Sequence, residues 1–227
     1  MRALLVIADI GGYTQFMKFH RLSVAHAQQN TDRLLHAVID AAPRLRLVAL
    51  EGDAAFFYIA EPQDEEVASS IAGLAAAMHR AFHERRGRMA ALSVCVCAAC
   101  EQVENLRVKF VAHVGDVVVQ KGRRATTVAG LDVILVHRML KNSVPVPEYL
   151  LMTEDVLGRC DPDIAAQAER IEEELEGLGV HTLHYLDLER TALDLPPVAP
   201  PGGARRLRYT TGMVVKALPA LVGLGRR

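Results

Sequence analysis

The chain has 227 residues, of which 51% are hydrophobic and 23% charged, the composition of one globular domain with an appendage and not of a disordered or collagen-like chain. Lys and Arg number 26 against 27 Asp and Glu, a formal net charge of -1, so no basic field attracts nucleic acid or anionic lipid, and no tryptophan is present to stack on bases. No run of eighteen uncharged apolar residues occurs, and Asp9 cuts the apolar opening before it reaches the length of a signal-peptide core; the expectation is a cytoplasmic protein with no transmembrane segment and no nucleic-acid partner.

Residues 3 to 8 form a branched apolar run that predicts a strand buried on both faces. It ends at Asp9-Ile10-Gly11-Gly12-Tyr13-Thr14, where two glycines mark a tight turn and Thr14 can cap a helix carrying Phe16, Phe19, Leu34, Leu35 and Val38 up to Pro43. Leu45 to Leu50 and Ala54 to Ala60, joined by Glu51-Gly52-Asp53, read as a hairpin with an acidic tip. Val67, Ile71, Leu74, Met78 and Phe82 recur at helical spacing and predict an amphipathic helix over 65–86. Strand-like runs follow at 92–97, 108–113 and 115–119, with a basic turn at Lys121-Gly-Arg-Arg124 and a strand at 125–129. Leu131 to Lys141 reads as a helix stopped by Asn142 and Pro145, Tyr149 to Thr153 as a strand, Ile164 to Leu175 as a charged helix, and Val180 to Leu188 as the last strand. This order is α+β, with helices packed on one face of a mostly antiparallel sheet. The domain divides as 1–188, followed by a Pro/Gly linker at 189–204 and a basic, apolar tail at 205–227, whose short apolar helix is expected to dock on the same chain or a dimer partner.

Asp9 ends the first strand and Asp53 sits in the turn of the next hairpin. If those elements are neighbours in one sheet, the carboxylates emerge at one edge, as hard oxygen ligands suited to Mg²⁺. The glycines at 11 and 12 allow backbone N–H groups to approach a phosphate at the start of the following helix. The competing reading makes Asp9 a helix-capping carboxylate and Asp53 an ordinary turn residue.

Ala8-Asp9-Ile10-Gly11-Gly12-Tyr13-Thr14 resembles the opening motif of the class III adenylate and guanylate cyclase catalytic domain, and Glu51-Gly52-Asp53-Ala54 resembles its second metal motif. His113-Val-Gly115-Asp116-Val117-Val118, Gly130 to Arg138, and Leu175-Glu-Gly177 through Tyr185-Leu-Asp-Leu188 are similar to its later motifs, in the same order. The resemblance covers residues 1 to 188. It implies a ferredoxin-like βαββαβ core with extra strands, working as a homodimer with its site at the interface. Carried over residue by residue, it implies Mg²⁺ or Mn²⁺ held by Asp9, Asp53 and the Ile10 backbone carbonyl. It also implies phosphate binding by Gly11, Gly12, Tyr13 and Thr14, a transition-state role for Arg138, and a nucleoside triphosphate or related small molecule as ligand.

The sequence departs from the family at three places. Ala49 stands where the family has a base-selecting lysine, Ile134 where it has an asparagine, and Leu131 where it has an aspartate, with Asp132 following. Isoleucine donates no hydrogen bond, and losing one oriented donor typically costs roughly 10²–10³ in rate. The expectation is a divergent, uncharacterised bacterial offshoot with a signalling role and weak or lost cyclisation. Two alternatives stay open: an active adenylate- or guanylate-type cyclase, a phosphorus–oxygen lyase, and a non-enzymatic, zinc-stabilised interaction domain.

Cys95-Val-Cys97-Ala-Ala-Cys100 offers three soft ligands for zinc, or a redox group, with His83, Cys160 and His113 as candidates for a fourth corner; small buried cysteines are the plainer reading. His79 and His83 are an i, i+4 pair with no acidic residue between them; a metal role is the lesser alternative, and the pair reads as a solvated helix edge. His113 reads as a hydrogen-bonded strand residue and not a general base.

Overall fold

Strand β1 (Arg2–Gly11) organises the molecule, because six successive side chains from Ala3 to Ala8 are buried and alternate between the two faces of a sheet. The computed structural model describes residues 1–14, 24–60, 69–92, 102–122, 126–190 and 211. After β1 come α1 (Val24–Asp40), the hairpin β2 (Arg46–Glu51) and β3 (Ala54–Ala60), then α2 (Ile71–Leu92). Strand β4 (Arg107–Asp116) follows, with β5 (Val118–Lys121) and β6 (Thr126–Ala129) as a separate ribbon, and then α3 (Leu131–Arg138). The chain continues through β7 (Tyr149–Thr153), the one-turn helices α4 (Glu154–Leu157) and α5 (Pro162–Ala165), and the hairpin β8 (Glu169–Leu175) and β9 (Gly179–Asp187).

The large sheet has the order β2-β3-β1-β4-β7-β9-β8. Its first four strands, with α1 and α2, are the ferredoxin-like βαββαβ unit expected from the sequence. Every pairing is antiparallel except β4 with β7.

Two apolar layers follow from the alternation in β1. Leu4, Val6, Ala8 and Ile10 face Leu34, Leu35 and Val38 of α1 and Ile71, Met78 and Phe82 of α2. Ala3, Leu5 and Ile7 face Leu135, Val136 and Met139 at the other side. Helices on one face alone are therefore not what the structure has: α3 covers the opposite face, because a strand apolar on both sides needs cover on both. Phe57, Phe82 and Phe110 are fully buried, and truncating such a side chain to alanine costs about 3–5 kcal/mol.

Two boundaries also differ from expectation. Helix α2 continues through Leu92, with Met89 buried, so the strand expected from Leu92 does not begin there; residues 93–101 lie outside the described residues. The charged segment expected as a helix over 164–175 is only a turn of helix at Pro162–Ala165, followed by the strand β8. There Ile171, Glu173 and Leu175 share one face at period two, and a turn with positive φ at Gly177 and Gly179 returns the chain to β9. Acidic side chains on this edge strand discourage pairing with a second sheet. Beyond Arg190 the linker and, apart from Thr211, the tail lie outside the described residues.

Candidate functional site

Asp9 follows Ala3, Leu5 and Ile7 on the α3 side of β1, and it pairs across β3 with Ala54, next to Asp53. The turn holding Asp53 is made by Gly52 at φ 67° and stitched to β1 by the Ile10 N–H, which donates to the Asp53 carbonyl at 3.0 Å. Sheet topology thus brings the two predicted carboxylates to one edge. Burial first, and the Asp9 charge second, push the Asp53 carboxyl above its usual range, against the opposing pull of its own backbone hydrogen bond and of Lys109. Tyr13 belongs to the same neighbourhood: burial, then the charges of Asp53 and Asp32, raise its phenol.

Sequence reasoning missed Lys109. On β4 it lies directly across from Asp9, and its Nζ stands 3.2 Å from Asp9 Oδ2 while donating to the Leu140 carbonyl at 3.1 Å. A lysine alternating with Val108, Phe110 and Val111 in an apolar strand was the available signal, since a half-buried ammonium needs a partner. The Asp9 carboxylate therefore meets a cation supplied by the chain itself.

The candidate phosphate-binding residues flank this edge. Gly12 is exposed with φ 86°, a conformation that favours glycine, and Tyr13 and Thr14 begin a helical turn, Thr14 exposed. Gly11 pairs with Arg107, whose guanidinium donates to the Glu104 and Leu106 carbonyls at 2.9 and 3.1 Å.

Arg138 is not joined to this group. It ends α3, and its Nη1 donates to Glu176 Oε2 at 2.6 Å in an exposed pair with the β8–β9 turn. Ile134 and Leu131, one and two turns earlier, are 50% and 65% exposed, so α3 presents an apolar edge to solvent. At its other end α3 is clamped. Asp132 accepts from the Asp116 N–H at 2.6 Å and lies 3.0 Å from His113 Nε2, and His113 Nδ1 is 3.1 Å from Thr153 Oγ1. His113 is thus the hydrogen-bonded strand residue expected. Gly115 is required there because a Cβ would stand inside the Asp132 side chain.

The reading of His79 and His83 as a solvated edge is overturned. His79 is 1% exposed, and both imidazoles lie against Glu148, a buried carboxylate just before β7. His79 Nε2 is 3.0 Å and His83 Nε2 2.9 Å from Glu148 Oε2. The helix period had placed both histidines on one stripe, but the stripe faces the end of the sheet and not solvent. Two of the candidate fourth corners for a cysteine site, His83 and His113, are thus engaged elsewhere. The third, Cys160, has its Sγ 3.9 Å from Met152 Sδ, and burial raises its thiol pKa. Cys95, Cys97 and Cys100 lie outside the described residues.

Residues 31–149 match the family model described as protein of unknown function (DUF2652). The chain belongs to this family. It is also similar to the uncharacterised protein Rv2561/Rv2562 of Mycobacterium tuberculosis, 44% identical over 169 residues that span 74% of this chain and 77% of the relative. Among solved structures it is similar to the adenylyl cyclase CyaB from Pseudomonas aeruginosa, with a TM-score of 0.60 and 14% identity over 86% of this chain and 96% of that one. A class III adenylyl cyclase-like ATP-binding protein from Pseudomonas aeruginosa matches at a TM-score of 0.57 and 17% identity, over 74% of this chain and 36% of that one. The fold is therefore that of class III cyclase catalytic domains. Among the described residues no helix is long and apolar enough to cross a membrane.

Proposed function

We propose that this protein binds a nucleoside triphosphate together with Mg²⁺ or Mn²⁺ at the edge formed by Asp9 and Asp53, and serves in signalling with weak or lost cyclisation. The observation that carries this reading is the convergence of two carboxylates from neighbouring strands, one of them raised in pKa by burial and by the other's charge. They stand beside the Gly11-Gly12 turn, Gly12 exposed, in a cyclase-type fold. The same fold carries a structure described as an ATP-binding, cyclase-like protein.

The residues present fit a hard divalent ion: two carboxylates, with the Ile10 carbonyl as a third oxygen. When bound, the ion neutralises charge on the triphosphate. Gly11, Gly12, Tyr13 and Thr14 receive the phosphates through backbone N–H groups and the start of the helical turn. Lys109 already neutralises part of the Asp9 charge, so metal has to share that carboxylate with the ammonium. Arg138 is assigned to the second site of a two-fold homodimer, reaching the partner's triphosphate after leaving Glu176. Ile134 leaves the ribose and α-phosphate without the side-chain donor that fast cyclisation uses, and Ala49 leaves the base without a lysine to select it.

The test is thermal unfolding with Mn²⁺ and each of the four common triphosphates, for the parent chain and for Asp9→Asn/Asp53→Asn. Binding at a hundredfold excess over Kd stabilises by about 2.7 kcal/mol, and the double variant should lose that increment. The Asp9–Lys109 pair favours one rival, a non-enzymatic interaction domain whose own lysine has replaced the metal. Metal and nucleotide that leave the parent's unfolding unchanged would decide for it.

A further inference from the structure

Outside the carboxylate edge, the described residues hold one compact set of metal-ligand side chains, and it is more deeply buried. His79 and His83 project from one face of α2, and Glu148 meets them from the segment before β7; their side chains are 2%, 11% and 2% exposed. His79 Nε2 to Glu148 Oε2 is 3.0 Å, His83 Nε2 to the same oxygen 2.9 Å, and His83 Nε2 to His79 Nε2 3.0 Å. The three atoms form a nearly equilateral triangle.

Hydrogen bonds alone do not account for that triangle. Each Nε2 carries at most one hydrogen. If both are protonated, both donate to Glu148, and the two imidazoles then oppose N–H to N–H across 3.0 Å. If one is bare, it turns a lone pair on a carboxylate oxygen at about the same distance. A central cation satisfies all three edges together. Ligand atoms at about 2.1 Å from a metal stand about 3.0 Å apart on one face of an octahedron, the arrangement of two-histidine, one-carboxylate iron(II) sites, and about 3.4 Å apart at the tetrahedral angles of zinc; the spacing found equals the first and is a few tenths of an ångström short of the second. Both imidazoles already offer Nε2, and the other carboxylate oxygen, Oε1, which also lies 3.0 Å from His83 Nε2, accepts from the Val108 N–H at 3.0 Å, the kind of outer contact that orients a ligating carboxylate. Burial holds His83 towards its neutral form against the pull of Glu148. Burial alone would raise Glu148, but the hydrogen bonds from His79 and His83, the charge of His83 and the Val108 N–H outweigh it and hold the carboxyl well below the usual range. A metal ion takes the place of the two imidazole protons, since bare Nε2 and ionised carboxylate are the ligating forms.

We propose that His79, His83 and Glu148 bind one divalent first-row transition metal ion. Two imidazole nitrogens with one carboxylate oxygen select zinc or iron(II) over the hard ions Mg²⁺ and Ca²⁺, which take all-oxygen sites. The ion fastens α2 to the sheet through the Glu148 segment and the first residues of β4. Arg86, one turn beyond His83, has its guanidinium on the Leu106 carbonyl at 2.7 Å, and so makes its own contact with the same end of the sheet. This site is distinct from the Asp9–Asp53 edge in ligands and in metal preference, and stands whether or not a nucleotide binds there.

The test is Co²⁺ and Zn²⁺ binding by the full chain after chelation, read by the Co²⁺ visible spectrum, by metal analysis and by thermal unfolding. Four variants accompany the parent: His83→Ala, Glu148→Gln, Cys95→Ser/Cys97→Ser/Cys100→Ser and Asp9→Asn/Asp53→Asn. Glutamine keeps an acceptor for the Val108 N–H, and His83 is the most exposed of the three ligands, so far-UV circular dichroism should show both single variants folded. One tight ion per chain is expected in the parent, the cysteine variant and the aspartate variant, with Mg²⁺ failing to displace it. Glu148→Gln or His83→Ala should weaken binding at least tenfold and remove the metal-dependent rise in Tm. The proposal is overturned if the parent takes up no tight ion, if both single variants bind as the parent does, or if the ion is lost from the cysteine variant alone.

Discussion

Lys109 Nζ stands 3.2 Å from Asp9 Oδ2 on the adjoining strand, both side chains largely buried. Replacing Lys109 with methionine keeps the aliphatic stem and removes the ammonium, leaving the Asp9 and Asp53 charges opposed. A charge-assisted pair of this kind is worth about 1.5–3 kcal/mol, so Lys109→Met should unfold at lower temperature without added metal. It should also gain more than the parent from Mn²⁺, because the competing cation is gone. Calorimetry with and without Mn²⁺ measures both effects, and equal metal increments would count against a shared carboxylate.

Asp53 gives a pH dependence of definite sign. Its carboxyl is raised in the folded state, burial first and Asp9 second, so the folded protein binds that proton more tightly than the unfolded chain does. The resulting stabilisation is complete below the unfolded pKa and is lost as pH rises through the raised folded value. Asp53→Asn removes the loss: the variant should be more stable than the parent at pH 7, and the difference should shrink or reverse as the pH falls below 4. Denaturant melts across that window read the crossover directly.

At α3, Asp132→Ala removes the acceptor of the Asp116 N–H and the partner of His113. The Asp116 N–H is exposed and turns to water, but His113 is buried, and leaving its Nε2 without a partner costs about 1–3 kcal/mol. Gly115→Ala should be at least as damaging, since its new methyl occupies the space of the Asp132 side chain. Arg138→Ala breaks only an exposed pair with Glu176 and should cost no more than about 1 kcal/mol. Comparing the three by urea unfolding separates the clamp from the surface pair.

Ile134 is half exposed on α3, so Ile134→Asn is expected to fold normally. It restores the side-chain donor found at the matching place in the resembled cyclases. Product formation from a triphosphate with Mn²⁺ should rise by roughly 10² or more if loss of that donor limits cyclisation. Adding Ala49→Lys should then sharpen discrimination between bases. An unchanged rate in a dimer that still binds nucleotide would show that the limit lies elsewhere.

Much of the fold could be read along the chain. A strand apolar at every position, two helices with repeating buried residues, and a glycine-turned acidic hairpin are local patterns, and each survived into the structure. Ile164 to Leu175 failed because its charges obscure a period of two, and an edge strand's pairing with β9 is invisible until the partner is known. Asp9 and Asp53 were legible because each ends or turns a strand whose neighbour follows closely in sequence.

Lys109 and Glu148 were not legible in that way. Lys109 becomes the partner of Asp9 only through a β1–β4 register that spans 100 residues of chain, and Glu148 reaches His83 across 65. The sequence by itself determined most of the elements, the carboxylates and the two histidines one helical turn apart, since these depend on spacing within a single strand, turn or helix. Tertiary structure decided which charges would meet. A half-buried carboxylate or imidazole takes its partner from whichever distant segment packs against it, and burial then makes that partner set the group's charge and chemistry.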